Sequence, residues 1–468
     1  MDRAGGHGAM PGIEREAVIA SADLEAAPTP DPDGSLVPED VVSAVAAWRS
    51  VAVLLLLIVL SMLDRQIIAL QIGPMKADLS LTDTQIGLLQ GLAFGLCYAF
   101  AGLPLGWAVD RFSRRRVAFL GVVTWSLSSA ACGLAGGFWQ LFAARTLVGA
   151  GEASLNPTAV SLIGDLFPRG RTGIPMGIYS AGIYLGSGVA LAVGGFVIGL
   201  FAGEPAVRLP ILGDLAPWQA VFLVTGLPGV VIAFAAFLMR EPRHAGGATR
   251  ATSPRDRGSM LRFGGDHAAL LFHTFIGFGL ASSVFYSLAA WTPAYLTRSF
   301  GWPAGRVGWT WGLVVASTGI FGSLIGGIVI DRAYRAGMRD ACLVVPAIGA
   351  LLAWPFIAGA YFVPSPSAML SVLGIGLVLF GVIGPGSYAA WARIAPPALR
   401  GRVTAGFTLV TGVLGSGLGP VAVALLTDRV FHDEAKVGAS IAIVASLALP
   451  VLALLLLSGR AALRRHPA

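Results

Sequence analysis

The sequence contains twelve apolar runs, each about as long as a bilayer is thick, separated by short polar segments. A helix needs roughly 20 apolar residues to cross the hydrocarbon core of a membrane. The runs predict helices over 48–72, 83–108, 117–136, 138–162, 173–201, 217–239, 268–297, 305–330, 341–362, 367–392, 403–428 and 437–459.

The composition agrees with this reading. Of the 468 residues, 55% are hydrophobic and only 12% are charged, whereas soluble domains average about 25% charged residues. The 62 glycines suit helices that must approach one another closely in lipid, where no hydrophobic force draws them together. We therefore predict an all-α membrane protein.

The predicted helices form two sets of six, joined by a polar, basic segment. This arrangement predicts five regions: a disordered cytoplasmic tail (1–47), a first six-helix half (48–239), a cytoplasmic basic linker (240–267), a second six-helix half (268–459) and a cytoplasmic tail (460–468). Repeated halves are typical of transporters that work by alternating access.

The distribution of arginine predicts the orientation in the membrane. The linker and the loops on its side of the membrane carry most of the arginines, and the opposite loops carry few basic residues. Because cytoplasmic loops are enriched in Lys and Arg, we expect both termini to be cytoplasmic. The net charge of +7 does not indicate nucleic-acid binding, since the arginines lie in short clusters between apolar spans.

The three cysteines, Cys97, Cys132 and Cys342, lie in or beside apolar spans without a paired or metal-binding spacing. We interpret them as small core residues. The linker matches no dinucleotide or phosphate-binding motif. We therefore expect no cofactor and no metal.

A short phrase recurs six helices apart. Gly106 begins Gly-x₃-Asp-Arg-x₂-Arg after the second helix, and Gly327 begins the same phrase after the eighth. An Asp at a helix end can meet the positive N-terminus of a neighbouring helix. We predict that Asp110 faces the start of the eleventh helix and Asp331 the start of the fifth, so that both act as latches. The predicted gate comprises Gly106, Asp110, Arg111, Arg114, Asp331 and Arg332.

Four ionisable residues lie inside the predicted spans: Asp64, Arg65, Arg145 and Glu152. A charge near the bilayer centre costs at least about 2.5–3.5 kcal/mol, so such residues face one another or water. Arg145 and Glu152 are two turns apart on one helix face, and the four charges sum to zero. We predict a mutual network. Because Asp64 and Arg65 are adjacent, they cannot point the same way, and Arg65 could instead reach the outer rim.

The functional interpretation of this network is proton coupling by Asp64, Glu152 and Arg145. Arginine also suits phosphate or carboxylate groups, so Arg65 and Arg145 are predicted to bind substrate. Glu152, which belongs to the same network, is predicted to bind substrate with them. The alternative is a structural ion pair between the first and fourth helices.

The second half carries aromatic rather than ionisable residues at the centres of its helices. We name Phe278, Tyr286 and Tyr388 from this half, and Tyr98 from the first half, as candidate substrate contacts. Each ring alone is more often a packing or interfacial residue. A charged first half and an aromatic second half together favour an amphiphilic substrate.

The Gly106 phrase resembles the signature loop of the major facilitator superfamily, G-x-L-A-D-R-x-G-R-R/K. Ala108 replaces the usual Leu, and Ser113 replaces the second Gly. The Asp64-Arg65 pair and the segment Arg145-x-Leu-Val-Gly-x-Gly-Glu152 resemble the spinster branch of this superfamily. We therefore interpret the chain as a bacterial homologue of that branch. Spinster proteins move lysophospholipids or sphingosine-1-phosphate, several of them with protons. The resemblance implies that these four residues form the polar, proton-sensing part of the cavity.

We therefore expect a monomeric, proton-coupled transporter of a lipid-like substrate in a bacterial inner membrane. A proton-coupled porter for a small organic anion or drug is the alternative, although the fifth helix lacks the Gly-Pro step typical of drug antiporters. A membrane-embedded enzyme is disfavoured, because no central His lies beside a Ser or Asp. A sensor that binds without transport also stays open.

Overall fold

The protein is described by a computed structural model that covers residues 43–168, 172–210, 213–242, 262–387, 395 and 397–464. Three predictions lie outside the described residues: the tail up to residue 42, most of the basic linker, and the substrate contact Tyr388. The division into domains at residues 240–267 accordingly stays a prediction.

Each predicted apolar segment forms a helix. The helices are α1 (Ala44–Leu70), α2 (Asp83–Arg111), α3 (Arg114–Cys132), α4 (Phe138–Glu152 and Leu155–Leu166), α5 (Gly173–Leu200), α6 (Pro217–Leu238), α7 (Ala268–Phe300), α8 (Ala304–Arg335), α9 (Ala341–Ala360), α10 (Pro366–Gly381), α11 (Pro397–Gly412, continuing to Phe431) and α12 (Val437–Arg464).

Within the described part of the chain, nine helices are long and apolar enough to cross a membrane by length and composition alone. The others are α3, α4 and α10. Three arginines open α3, a break at Ala153–Ser154 divides α4, and α10 has only 16 residues. Each of these three helices is therefore too short, too polar or too interrupted to count by length and composition alone. The prediction of twelve membrane helices still holds for the fold.

Several predicted boundaries are wrong by a few residues. α1 begins at Ala44 rather than 48, α8 continues to Arg335, and α12 continues to Arg464 inside the predicted tail. The larger exception is α10, which was predicted to end at 392 but ends eleven residues earlier, at Gly381, with turns at 382–385. Charged residues at helix ends reach the interface without breaking backbone hydrogen bonds, so hydropathy alone ends such helices too early.

Two small elements were not predicted, and both lie at the end of the bundle opposite the chain termini. A short helix, Ile72–Leu79, follows α1. Between α5 and α6, β1 (Val207–Leu209) pairs antiparallel with β2 (Gly213–Leu215). The bundle is otherwise helical in the residues described.

Four helices connect the two halves. α5 packs along α8, and α2 packs along α11. Glycines allow these helices to meet backbone to backbone: a Cβ at Gly91 would collide with the carbonyl oxygen of Gly417, and one at Gly308 with that of Leu191. Close packing of small residues is what holds membrane helices together.

The ends of α3 and α9 on the terminal side are held by charged residues from α6 and α12. Glu241, just after α6, accepts hydrogen bonds from the Ser113 hydroxyl (2.6 Å) and the Arg114 main-chain N–H (2.5 Å). Asp340, just before α9, is contacted by Arg460 (2.5 Å) and Arg464 (3.0 Å) of α12. Each half thus joins its third helix to its sixth by charge.

Burial alone would raise the pKa of the Glu241 carboxyl, but its hydrogen bonds from Ser113, Arg114 and Arg115 outweigh burial and lower that pKa. A carboxylate at the first turn of a helix also interacts favourably with the helix dipole. Glu241 therefore stabilises the start of α3 in its ionised form.

We expect Glu241→Gln to destabilise the protein in detergent by about 1 kcal/mol at neutral pH. Because the folded pKa lies below the unfolded value of about 4.3, the stabilisation is fully present above that value. It is lost as the pH falls through the folded pKa. Thermal unfolding between pH 2.5 and 7 measures this difference, because the lower part of that range crosses the folded pKa. Asp214→Asn, which removes the exposed Arg208–Asp214 pair, is the control and should change stability little. A Glu241→Gln effect independent of pH would contradict the assignment.

Candidate functional site

A buried ion pair connects α1 to α4 at the centre of the bundle. The Arg65 Nη2 atom lies 2.5 Å from Glu152 Oε2, and the Ser61 hydroxyl donates to the same oxygen at 2.7 Å. The Glu152 side chain is fully buried, while that of Arg65 is 16% exposed. The prediction that Arg65 could reach the outer rim is therefore wrong: its guanidinium lies at the centre of the site.

Asp64 points in a different direction. Its Oδ1 accepts a hydrogen bond from the Ser129 hydroxyl of α3 at 2.5 Å, and its side chain is fully buried. Consecutive helical residues point about 100° apart, so the neighbours Asp64 and Arg65 reach different helices. The predicted single network is corrected to two clusters: Arg65–Glu152–Ser61, and Asp64–Ser129.

Arg145 connects the two clusters through the backbone. Its Nη1 donates to the main-chain oxygen of Asp64 at 3.1 Å, and the residue is almost completely buried. It shares a face of α4 with Glu152, as predicted. Among the described residues its Nε makes no hydrogen bond, so this donor is available inside the protein.

Phe94 of α2 lies against both arginines. The Arg65 guanidinium carbon is 4.4 Å from the ring centroid, and that of Arg145 is 5.5 Å away. Tyr98 stacks on Phe94 at 5.6 Å and lies 5.3 Å from the Arg65 guanidinium carbon. Aromatic faces attract cations, so this ring lets two positive charges lie close together.

Local backbone geometry places Phe94 there. A π-helical segment, Leu89–Ala93, precedes it and shifts the register of α2. Gly149 of α4 faces it, and a Cβ at that position would collide with the Phe94 carbonyl oxygen. Such π-bulges are frequent at functional sites.

One contact from the second half reaches the pair. The Tyr286 hydroxyl of α7 lies 3.5 Å from Arg65 Nη1, at the long limit of a hydrogen bond. The charged cluster of the first half is thus in contact with the second half.

A cavity of about 840 Å³ extends from this site toward the end of the bundle where α5 begins. From the first half it is lined by Asn156, Tyr179 and Tyr184, among others. The second half contributes aromatic residues together with several hydroxyls, a more polar wall than predicted. These residues include Phe278, Ser282, Phe285, Tyr286, Phe380, Thr404, Phe407, Thr408 and Thr411.

Two smaller chambers lie beside the site. One, of about 50 Å³, is bordered by Arg65, Arg145, Gln66 and Gln90. The other, of about 40 Å³, is mainly apolar, and its lining includes Trp311, Val315, Leu377 and Phe380. Gln66 and Phe285 border both chambers.

The structure brings together most predicted substrate residues. Arg65, Arg145, Tyr286 and Phe278 line the cavity or its polar chamber, and Tyr98 lies against Arg65. Sequence reasoning missed residues that are polar but uncharged at neutral pH: Gln66, Gln90, Asn156 and Tyr179. The rarity of Asn and Gln inside apolar spans was the signal that could have found them.

The predicted gate residues lie at the end of the bundle toward which the cavity extends. Asp110 and Asp331 are exposed, and within the described residues neither carboxylate makes a hydrogen bond or ion pair. A Cβ at Gly106 would meet open space, and Arg332 is exposed. The predicted latches are therefore not engaged in this conformation. The contacts of Asp110 with the start of α11 and of Asp331 with the start of α5 stay predictions.

The other predicted gate residues have local partners. The Arg111 guanidinium lies 5.3 Å from the Trp107 ring. Arg114 is buried and lies 2.6 Å from Asp165 at the end of α4. In the described part of the chain, no three His, Cys, Asp or Glu side chains are grouped so that they could hold a metal ion.

A helical bundle with a central cavity beside buried charged residues, closed at one end, is the architecture of a membrane transporter. The model of the Major Facilitator Superfamily matches residues 54–420. The chain belongs to this superfamily, as its Gly-x₃-Asp-Arg phrase predicted. Its members are generally transporters rather than enzymes.

Curated relatives carry several activities. The chain is 28% identical to an MFS-type efflux pump of Mycolicibacterium smegmatis, over 83% of this chain and 86% of that protein. It is 26% identical to the probable L-galactonate transporter of Escherichia coli, over 84% and 86%. It is also 28% identical to human protein spinster homolog 1, over 81% and 72%. The predicted spinster resemblance is thus confirmed.

A solved structure supports the fold. The crystal structure of a bacterial homologue of the human lysosomal transporter Spinster, in an inward-facing and unoccupied conformation, matches with a TM-score of 0.73. It is 23% identical and covers 91% of this chain and 98% of its own.

We expect Phe94 and Arg65 to stabilise the site jointly. Phe94→Leu and Arg65→Gln, singly and together, should show a coupling of about 1 kcal/mol in thermal unfolding, the size of a cation–π contact. The control is Phe119→Leu, since Phe119 packs on Phe234 and Phe237 and, within the described part of the chain, no cation lies over its ring. Additive effects of Phe94→Leu and Arg65→Gln would show that the ring does not hold this arginine.

Proposed function

We propose that the protein is a proton-coupled secondary transporter of an amphiphilic, lipid-like substrate with an anionic or zwitterionic head group. The observation that carries this proposal is the cavity itself. Its second-half wall is rich in aromatic side chains. Two arginines, Arg65 and Arg145, border the 50 Å³ chamber next to it, and Phe285 and Tyr286 line both spaces. A head group and an apolar tail would therefore contact different walls.

The Arg65–Glu152 pair supplies a route to coupling. Arginine forms its strongest hydrogen bonds with carboxylate or phosphate, so an anionic head group at Arg65 competes with Glu152. A buried carboxylate that loses its cation is destabilised in its charged form. Glu152 then takes up a proton, and substrate and proton move together.

Asp64 provides a second proton site in this proposal. It is completely buried, and the hydrogen bond recorded for its carboxyl group comes from Ser129 rather than from a cation. Movement of α1 against α3 would change that environment. Arg145 would respond, because it binds the main-chain oxygen of the same residue.

The proposed topology places both termini in the cytoplasm of a bacterial cell, with the protein in the inner membrane. The cavity is then open toward the cytoplasm and closed toward the outside. Alternating access would require the two halves to rock about the central site. A single chain encloses the whole cavity, which supports a monomer as the working unit.

A small organic acid is the second candidate substrate. The 50 Å³ chamber bordered by Arg65, Arg145, Gln66 and Gln90 has the size and donors for a carboxylate and neighbouring hydroxyls. The relative from Escherichia coli is named a probable L-galactonate transporter. In this alternative the aromatic wall would pack on the substrate without holding a tail.

Transport in proteoliposomes with a lumenal pH indicator distinguishes these candidates. We expect lysophosphatidic acid to move protons through the wild-type protein, and we expect Glu152→Gln and Asp64→Asn to reduce that signal by at least tenfold. Glu152→Gln should retain binding, since the amide still accepts from Ser61. Asp214→Asn, on the exposed hairpin, is the control.

Each outcome decides a different part of the proposal. Proton movement with galactonate but not with the lipid would replace the substrate and keep the coupling site. Lipid transport without any pH change, equal in wild type and both variants, would make the carboxylates structural.

Single cysteines test the proposed topology in a variant without the three native cysteines. We expect Glu204→Cys, in the loop before β1, to react with an impermeant maleimide on intact cells. Met338→Cys, between α8 and α9, should react only after the cells are permeabilised. Both positions are exposed. The reverse pattern would invert the topology.

A further inference from the structure

The end of the bundle opposite the termini is closed by charged residues that the proposed transport chemistry does not use. Asp428, near the end of α11, accepts hydrogen bonds from the main-chain N–H of Thr84 (2.5 Å) and from its hydroxyl (2.7 Å). Thr84 lies in the first turn of α2. An acid of the second half therefore caps the positive end of a first-half helix.

An ion cluster lies beside this contact. The Arg298 guanidinium of α7 binds both carboxylate oxygens of Asp83, at 2.6 and 2.7 Å. Lys76 binds Asp83 and also contacts Glu434 at 2.7 Å. The Asp83 side chain is fully buried, so opening this end would expose a carboxylate that now has two cations.

Directly below, α2 and α11 touch through their backbones. Gly87, Gly91 and Gly95 recur every four residues on α2 and face Ala424, Gly417 and Ser416 of α11. A Cβ at Gly91 would collide with the Gly417 carbonyl oxygen. The Asp428 contact thus lies at the end of a helix pair whose close approach requires glycine at these three positions of α2.

The two ends of this pair carry matching acids. α2 and α11 run antiparallel, so each helix presents its N-terminus beside the other's last turn. Asp110 lies in the last turn of α2, and Asp428 lies three residues before the end of α11. In this structure the Asp428 contact is made, whereas Asp110 is exposed.

We infer that Asp428 is the latch for the end of the bundle opposite the termini, as the counterpart of the latch predicted at Asp110: each acid caps the other helix when its own end of the cavity is closed. This inference rests on the proposed alternating access. The Asp428 latch holds the present conformation, and its release allows the outer end to open while Asp110 engages the start of α11. The bilayer favours such capping, since a helix N-terminus there has few other partners.

The test measures distances between spin labels in a variant without native cysteines. One label pair, Ala77→Cys and Phe362→Cys, reports the outer end, and another, Arg116→Cys and Met338→Cys, reports the opposite end. All four positions are exposed. We expect Asp428→Ala to shift the ratio of the two conformations at least tenfold toward the open outer end, the size expected for losing hydrogen bonds to a charged group.

Two further variants and a control sharpen this result. Asp110→Asn should shift the ratio in the opposite direction. Gly91→Val should open the outer end by steric contact while leaving Asp428 intact. Asp433→Ala is the control, because this nearby acid bonds only within its own loop in the described structure, and it should change neither distance.

The latch is overturned if Gly91→Val opens the outer end and a folded Asp428→Ala does not. If Asp83→Asn alone opens it, the ion cluster is the gate and Asp428 is incidental. Because distances are measured rather than flux, a wrong substrate or absent proton coupling would leave these shifts unchanged. Failure of the transport proposal is therefore distinguishable from failure of the latch.

Discussion

Charged groups in a membrane interior need partners, and that requirement organises this molecule from its centre to both ends. At the centre, Glu152 is fully buried and bonded to Arg65 and Ser61. At the end of the bundle opposite the chain termini, Asp83 is equally buried and held by Arg298 and Lys76. In a medium that cannot solvate ions, each pair fixes the helices that carry it.

The partners of these charges differ in what they connect. Arg65–Glu152 joins helices within one half, so it can persist while the halves rock. Asp83–Arg298 and Thr84–Asp428 join different halves, so in the proposed alternating access they break when this end opens. A transporter needs both kinds of contact: one that preserves the site and another that depends on the state. Tyr286, at 3.5 Å from Arg65, is where the two kinds meet.

Glycine performs the complementary role between helices. The α2–α11 and α5–α8 contacts place backbone against backbone, as at Gly91 and Gly308. Such surfaces carry little side-chain interdigitation that would have to be undone, so they can separate and close again. In the proposed alternating access, the polar contacts between the halves stabilise one conformation over the other. The glycines allow the helices to approach closely enough for those contacts to form.

The architecture and the four intramembrane charges follow from the sequence, because apolar length, arginine placement and the cost of buried charge are local properties. The sequence also indicates that Arg145 and Glu152 share a face, since helical spacing is fixed. It does not indicate that Asp64 turns to Ser129 while Arg65 takes Glu152, because helix rotation is set by packing against α3 and α4. The break at Ala153, the π-helical register before Phe94, and the roles of Gln66 and Gln90 depend on the same packing.

The family, the membrane class and the identity of the charged residues were therefore determined by the sequence itself, through hydropathy and the repeated Asp-Arg phrase. Only the tertiary structure decided which charges pair, which end of the cavity is closed, and that Asp428 caps α2. These contacts join residues up to 358 positions apart in the chain. Their geometry depends on how whole helices pack, and no local pattern encodes that packing.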